Sequence, residues 1–291
     1  MTGELNANAL QRADRREQLV QAGLVAPALV LVGLFLILPV GVLLALSVVQ
    51  TDGTLGLEHY ERLWTNASNL DALRTTLRVS ALTTLACTVL GFPYAYLMTQ
   101  VSRRVAALMT AAVLLPFWTS LLVRTYAWLV LLQRRGLVNT ALTQAGLIDQ
   151  PLALVHNEMG ALTGMTHIML PFLVLPLYAS MRAVDTDLMR AAASLGAGPV
   201  QAFWTVFVPL AVPGFAAGAL MVFVLSLGFY ITPALLGGGR VLMVSMAIER
   251  AVSYYTAWGA ASALGVVLLV ATLLVLAVAA RLMRLERLVG A

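Results

Sequence analysis

The sequence predicts an all-α protein with six membrane-spanning helices. Three observations carry that prediction. Of the 291 residues, 60% are hydrophobic and 11% charged, whereas soluble domains hold about 45–50% apolar and about 25% charged residues. Six apolar runs each reach the roughly 20 residues that an α-helix needs to cross a bilayer. The arginines gather at the borders of those runs, where membrane proteins keep their basic residues.

In chain order the runs cover residues 22–49, 76–98, 105–132, 160–181, 210–236 and 259–280. The first is too long for the core of a secretory signal and has no small-residue cleavage site behind it, so it reads as a retained span. The second is diluted by Thr83, Thr84 and Thr88. The chain divides into an N-terminal segment, 1–21, a transmembrane unit, 22–285, holding a loop at 182–209, and a short tail, 286–291. With the N-terminus inside, the inner segments carry ten arginines, among them Arg12, Arg15, Arg16, Arg284 and Arg287, and the outer segments seven. Both termini and the 182–209 loop are therefore expected in the cytoplasm.

The outer segments have structure of their own. In Leu57–Trp64 the apolar residues at 57, 60, 63 and 64 share one helical face, and "GLVNTALTQAGLID" within 133–157 reads as a second short amphipathic helix. Asn66-Ala67-Ser68 matches a glycosylation sequon of a kind that arises by chance.

Composition also excludes several chemistries. All 18 basic residues are arginine, and without lysine there is neither a phosphate-binding P-loop nor Schiff-base catalysis. The net charge of +5 belongs to membrane borders rather than to a nucleic-acid surface. The lone Cys87 excludes an intrachain disulfide and reads as a small buried hydrophobe. His59, His156 and His167 lack metal-pair spacing; the first two read as outer-loop residues and His167 as a satisfied polar group within a span. No nucleophile cluster suggests hydrolysis. The chain reads as non-enzymatic, with no catalytic residue, metal or cofactor of its own.

Between the fourth and fifth runs lies "AAASLGAGPVQAFWTVFVPLAVPG", residues 191–214. Asp185 or Thr186 can cap a helix over Asp187–Leu195. Gly196 stands where a helix end takes a left-handed residue, and Pro199 suits a first helical position. A second short helix would place Val200, Phe203, Trp204 and Phe207 on one face and stop at Pro209. From the residues alone this is either an interfacial helical loop or a docking element.

The stretch resembles the cytoplasmic motif of ABC importer permeases, E-A-A-x3-G-x9-I-x-L-P. Ala191 and Ala192 match the alanines, Gly196 the glycine and Pro209 the final proline, with every spacing kept. Arg190 stands in place of the glutamate, and Val206 and Val208 replace isoleucine and leucine. "LPFWTSLLVRTYAWLVLL", "GLVNTALTQAGLID", "LPFLVLPLYASM" and "LGFYITPALLGG" resemble segments of the spermidine/putrescine branch, in the same order, and together they cover most of residues 20–285. The resemblance implies a type I importer permease fold in a bacterial inner membrane. It also implies a second homologous permease, two ATP-binding subunits that hold the ATP and Mg, and a periplasmic solute-binding protein. It assigns ATPase coupling to Ala191, Ala192, Leu195, Gly196, Ala197, Pro199, Phe203 and Pro209.

On this reading the chain forms half of the pathway for a small cation such as spermidine or putrescine. The spans hold no aspartate or glutamate, so guidance falls to Phe117, Trp118, Tyr126, Phe229 and Tyr230 through cation–π contacts. Glu249 and Glu158 would add charge at the outer rim. Packing is the competing role for the aromatics, and an ion pair with arginine for Glu249. Arg124, alone within a span, either bonds helix-end carbonyls or an acid, or meets the solute. The alternatives are the same machine carrying iron, an amino acid derivative or a phosphonate, and a secondary transporter, which the missing mid-span acids disfavour.

Overall fold

The computed structural model describes residue 21, residues 23–50 and residues 52–289, with side chains as far as Leu282. Most of the N-terminal segment, with Arg12, Arg15 and Arg16, and the side chains of Arg284 and Arg287 lie outside the described residues.

The described chain is helical. In order come α1 (Gly23–Val48), α2 (Glu58–Thr65), α3 (Ala67–Gln100), α4 (Arg103–Leu114), α5 (Leu121–Leu132), α6 (Leu137–Gln144) and α7 (Glu158–Ala183). They are followed by α8 (Thr186–Ser194), α9 (Pro199–Leu227), α10 (Ile231–Leu236), α11 (Val244–Ser253) and α12 (Trp258–Val289). Five of these, α1, α3, α7, α9 and α12, are long and apolar enough to cross a membrane. The remaining predicted span, 105–132, is a pair of helical pieces, Arg103–Trp118 and Leu121–Gln144, bent by 101°.

The centre is a trio: α7 packs along both α3 and α9, which also pack on each other. Small residues let the backbones approach. A Cβ on Gly218 would sit 3.0 Å from the Leu173 carbonyl oxygen, and one on Gly214 would collide with Ser180 and Pro176. The Gly214-x-x-x-Gly218 pattern is thus a contact of α9 with α7. Leu173, Val174 and Leu177 are fully buried at this seam. By contrast, the apolar window of α1 has no buried residue and meets the bundle chiefly through α12.

Several predicted boundaries move. The second span begins at Ala67, because Asn66 Oδ1 accepts from the Ser68 amide at 2.9 Å and caps the helix. The sequon is a helix cap. At 34 residues, α3 is about 51 Å long and extends past a hydrocarbon core of about 30 Å. The predicted 210–236 run ends at Leu227, and its last part is the separate helix α10.

The short helices expected in the outer segments are present where the patterns placed them, as α2 and α6. In α2, however, Leu57 and Trp64 are exposed, whereas His59 is buried with Leu63. His59 is therefore not a loop residue: its Nε2 is 3.0 Å from the Val49 carbonyl oxygen, and Tyr60 donates to Ser47 at 2.8 Å. These bonds fix α2 across the end of α1. Buried Asn139, on α6, donates to the Gln133 and Leu152 carbonyls and accepts from the Leu152 amide, stapling the loop before α7.

Two π-turns, Gly33–Ile37 and Phe203–Phe207, each end two residues before a proline, Pro39 and Pro209. A proline ring clashes with the carbonyl four residues back and offers no N–H. One widened turn absorbs both defects, and the next amide bonds five residues back: Leu38 to Gly33 and Val208 to Phe203. Pro209 therefore does not stop a helix, as the sequence suggested. The helix runs through it.

Candidate functional site

The loop at 182–209 folds as an elbow. Asp185 Oδ1 caps α8 by accepting from the Asp187 amide at 2.9 Å, so the helix starts at Thr186, one residue earlier than predicted. At the other end Gly196 has φ +88°. Its amide donates to the Ala193 carbonyl and that of Ala197 to the Ala192 carbonyl, both at 3.0 Å. These two bonds form a Schellman motif, which needs a left-handed residue at the glycine. Gly198 and Pro199 then start α9.

What the elbow presents outward is apolar. Leu195 is 89% exposed, Val200 72% and Trp204 62%. Ala191 and Pro199 are exposed beside them, whereas Ala192 and Ala197 are half-buried. The face predicted for Val200, Phe203, Trp204 and Phe207 is split by the π-turn. Phe203 and Phe207 stack inward at 5.5 Å, and both meet the Tyr96 ring of α3 edge-on, at 5.1 and 5.5 Å. Phe203 is thus a pin between the elbow and the bundle. Arg190, in the charge-reversed position, pairs with Asp187 at 2.9 Å on the exposed side of α8. An exposed pair of this spacing is weak.

The second constellation is where two helices break. Pro116 tightens Leu115–Trp118 into a 3-10 turn whose end is held by Thr119, hydroxyl to the Pro116 carbonyl, at 2.7 Å. In the other break, after α9, the Phe229 carbonyl accepts from the Ser245 hydroxyl at 2.7 Å. The breaks are tied together. Fully buried Thr125 of α5 and Thr232 of α10 lie 3.1 Å apart, hydroxyl to hydroxyl. Irregular backbone at membrane depth is tolerated where protein or a cavity surrounds it, and transporters build binding sites from such broken helices.

Of the predicted pathway residues, the structure brings Phe117 and Phe229 to one neighbourhood. Phe117 meets Phe172 edge-on at 5.5 Å, and Phe172, Phe229 and Leu121 pack on the same buried cluster around Cys87, Leu173 and Val222. Trp118 and Tyr126 are exposed, and Tyr230 is 38% exposed beside the second break. Glu249 stands elsewhere, on α11, half-buried and, among the described residues, with no arginine in ion-pair range. Glu158 is not a free rim charge: it pairs with Arg78 at 2.6 Å.

Sequence reasoning missed the threonine bridge, Ser245 and the indole of Trp128, which donates to His167 Nδ1 at 3.1 Å. His167 is the satisfied intramembrane group expected. Arg124 keeps its Nε buried, with no partner among the described residues.

Comparison with known proteins places these features. A family model described as the binding-protein-dependent transport system inner membrane component matches residues 20–286. The spermidine/putrescine transport system permease protein PotB of Haemophilus influenzae is 33% identical over 248 residues, covering 82% of this chain and 86% of that protein. PotB of Escherichia coli is 34% identical over 193 residues, 66% of this chain and 70% of its own. Among solved structures, a chain of a bacterial ABC transporter involved in importing the acidic polysaccharide alginate superposes with a TM-score of 0.72 at 20% identity, over 94% of this chain and 98% of that one.

Proposed function

Since the chain belongs to the family of binding-protein-dependent transport system inner membrane components, we propose that it forms half of an ATP-driven import pathway for a small organic cation of the spermidine/putrescine type. Closure of partner ATPase subunits on the elbow would move α9, and α9 leads to the break at Gly228–Tyr230. The single observation that carries this reading is the Schellman elbow at Gly196, which holds Leu195, Val200 and Trp204 exposed at the root of a helix running on to that break.

The partners are a second, homologous permease, two ATP-binding subunits and a periplasmic solute-binding protein. Ala191, Ala192, Leu195, Gly196, Ala197, Pro199 and Pro209 form or flank the docking surface, with Phe203 anchoring it from within. Both termini lie in the cytoplasm, in a bacterial inner membrane. The solute assignment is supported by the similarity to the two PotB proteins and by the aromatic rings at both breaks. Glu249, free of arginine partners among the described residues, serves at the entrance.

A second reading keeps the machine and changes the solute. Arg124 on α5, next to the threonine bridge, and the absence of aspartate and glutamate from the spans favour it. The test is uptake into proteoliposomes containing the full complex and its binding protein. Spermidine or putrescine should stimulate ATP hydrolysis and accumulate inside. If no polyamine stimulates hydrolysis while the binding protein alone does, the solute half of the proposal fails.

A further inference from the structure

A cavity of about 450 Å³ opens at the end of the bundle opposite the elbow, between α2, the first turn of α3, α11 and the start of α12. Leu63 and Leu264 give it an apolar floor, and Arg62, Arg250 and Asn69 line its polar wall. Among the described residues no carboxylate lines it. Arg62 turns its Nη2 to Glu58 of its own helix, at an exposed site, and Arg250 has no acid in ion-pair range among the described residues. Glu58 neutralises one side of Arg62, but Arg250 brings a second guanidinium to the same space with no acid of its own, and an anion there would offset the excess positive charge.

The surroundings indicate which anion. Trp64, Tyr254, Tyr255 and Trp258 are each more than half exposed, at the end of α2, the end of α11 and the first residue of α12. Exposed tryptophan and tyrosine at the mouth of an apolar helix mark the headgroup layer of a bilayer. The arginine fork matches paired phosphate oxygens, and the apolar floor suits the glycerol carbons and first methylenes behind a phosphate. We propose that this cavity is a binding site for an anionic phospholipid headgroup, with Arg62 and Arg250 on the phosphodiester. It holds α2 and α11 together across the lipid.

The experiment uses the full chain purified with its partner subunits, exchanged into detergent with equal phosphatidylglycerol and phosphatidylcholine, and read by native mass spectrometry. The complex should retain phosphatidylglycerol over phosphatidylcholine by about tenfold, because both lipids carry the phosphodiester but phosphatidylcholine adds a cation that the two arginines repel. The preference should weaken as salt rises. Arg62→Gln with Arg250→Gln should bring the ratio to near one, and Arg62→Lys with Arg250→Lys should keep part of it, with assembly and basal ATP hydrolysis unchanged in both. Equal retention of the two lipids by the unaltered complex overturns the proposal without requiring any variant to fold. So does an undiminished preference in the glutamine pair. If the glutamine pair instead loses its solute-binding protein while its lipid preference stays, the cavity serves a protein carboxylate and the lipid assignment is wrong.

Discussion

At Gly196 no atom lies within 4 Å of the place a Cβ would occupy, so the obstacle to substitution is conformational and not steric. A left-handed backbone costs an ordinary residue roughly 1–2 kcal/mol, and a β-branched one more. Gly196→Val should therefore open the Schellman turn and abolish coupled uptake while leaving membrane insertion and assembly of the permease pair intact. Normal uptake by this variant would remove the docking assignment. Glu249→Gln keeps the side chain's shape and removes its charge; uptake of spermidine should fall severalfold with assembly and basal ATP hydrolysis preserved. Loss of assembly would instead make Glu249 structural. Outside the spans, the Thr54 hydroxyl and amide hold the Asp52 carboxyl below its ordinary range. A depressed acid contributes above its unfolded value and loses that contribution as pH falls through the folded one. The protection of the Thr54 amide, taken relative to its intrinsic exchange rate at each pH, should accordingly fall as pH drops through the Asp52 range, while the protection of amides in the α7 core does not change over the same window.

The bridge between α5 and α10 is an interaction of elements, and a double-mutant cycle measures it. Thr125→Val alone leaves the Thr232 hydroxyl buried and unpaired, at a cost of about 1–3 kcal/mol, whereas Thr232→Val leaves the Thr125 hydroxyl its bond to the Leu121 carbonyl at 2.9 Å and should cost less. The double variant should cost less than the sum of the two, because nothing unpaired remains. Thermal unfolding of the purified complex reads this directly, and strictly additive losses would show that the two helices do not act through that contact. The elements themselves were largely legible in the sequence, since a run of apolar residues long enough to cross a bilayer has few other fates. Asp185, Gly196 and Pro199 were legible too, because each serves a local backbone geometry that its own chemistry dictates. The breaks were not. Pro116 and Gly228 sit in runs that stay apolar on both sides, and hydropathy is blind to a change of direction. Pro209 misled for the opposite reason: a proline signals a helix end, and only the π-turn before it shows that the chain widened by one residue and went on.

For the molecule as a whole, the elbow and the headgroup-level cavity lie at opposite ends of the bundle. A cysteine at Ala197, in a chain with Cys87→Ala, should react only with a reagent supplied from the cytoplasm, and one at Ala145 only with a reagent supplied from outside. Reaction of both from one side would mean that α7 does not cross, and the reverse labelling, Ala145 from the cytoplasm and Ala197 from outside, would mean that the bent pair Arg103–Trp118 and Leu121–Gln144 does not. The long helix α9 joins the two halves of this picture. Its 29 residues make a rod about 43 Å long, and the glycine contacts with α7 hold it near residue 216. Roughly 25 Å of rod lies on the elbow side of that point and roughly 17 Å on the side of the break. Were the helix to turn there as a rigid body, a push at the elbow would return at the break reversed in direction and reduced to about two-thirds of its size. Spin labels at Val200 and Leu225 should then swing opposite ways when the partner subunits bind ATP, and a parallel shift would rule the pivot out. A see-saw cannot dip at both ends, so a pivot at the contact that lets two backbones lie close would lift the break whenever the elbow is pressed down.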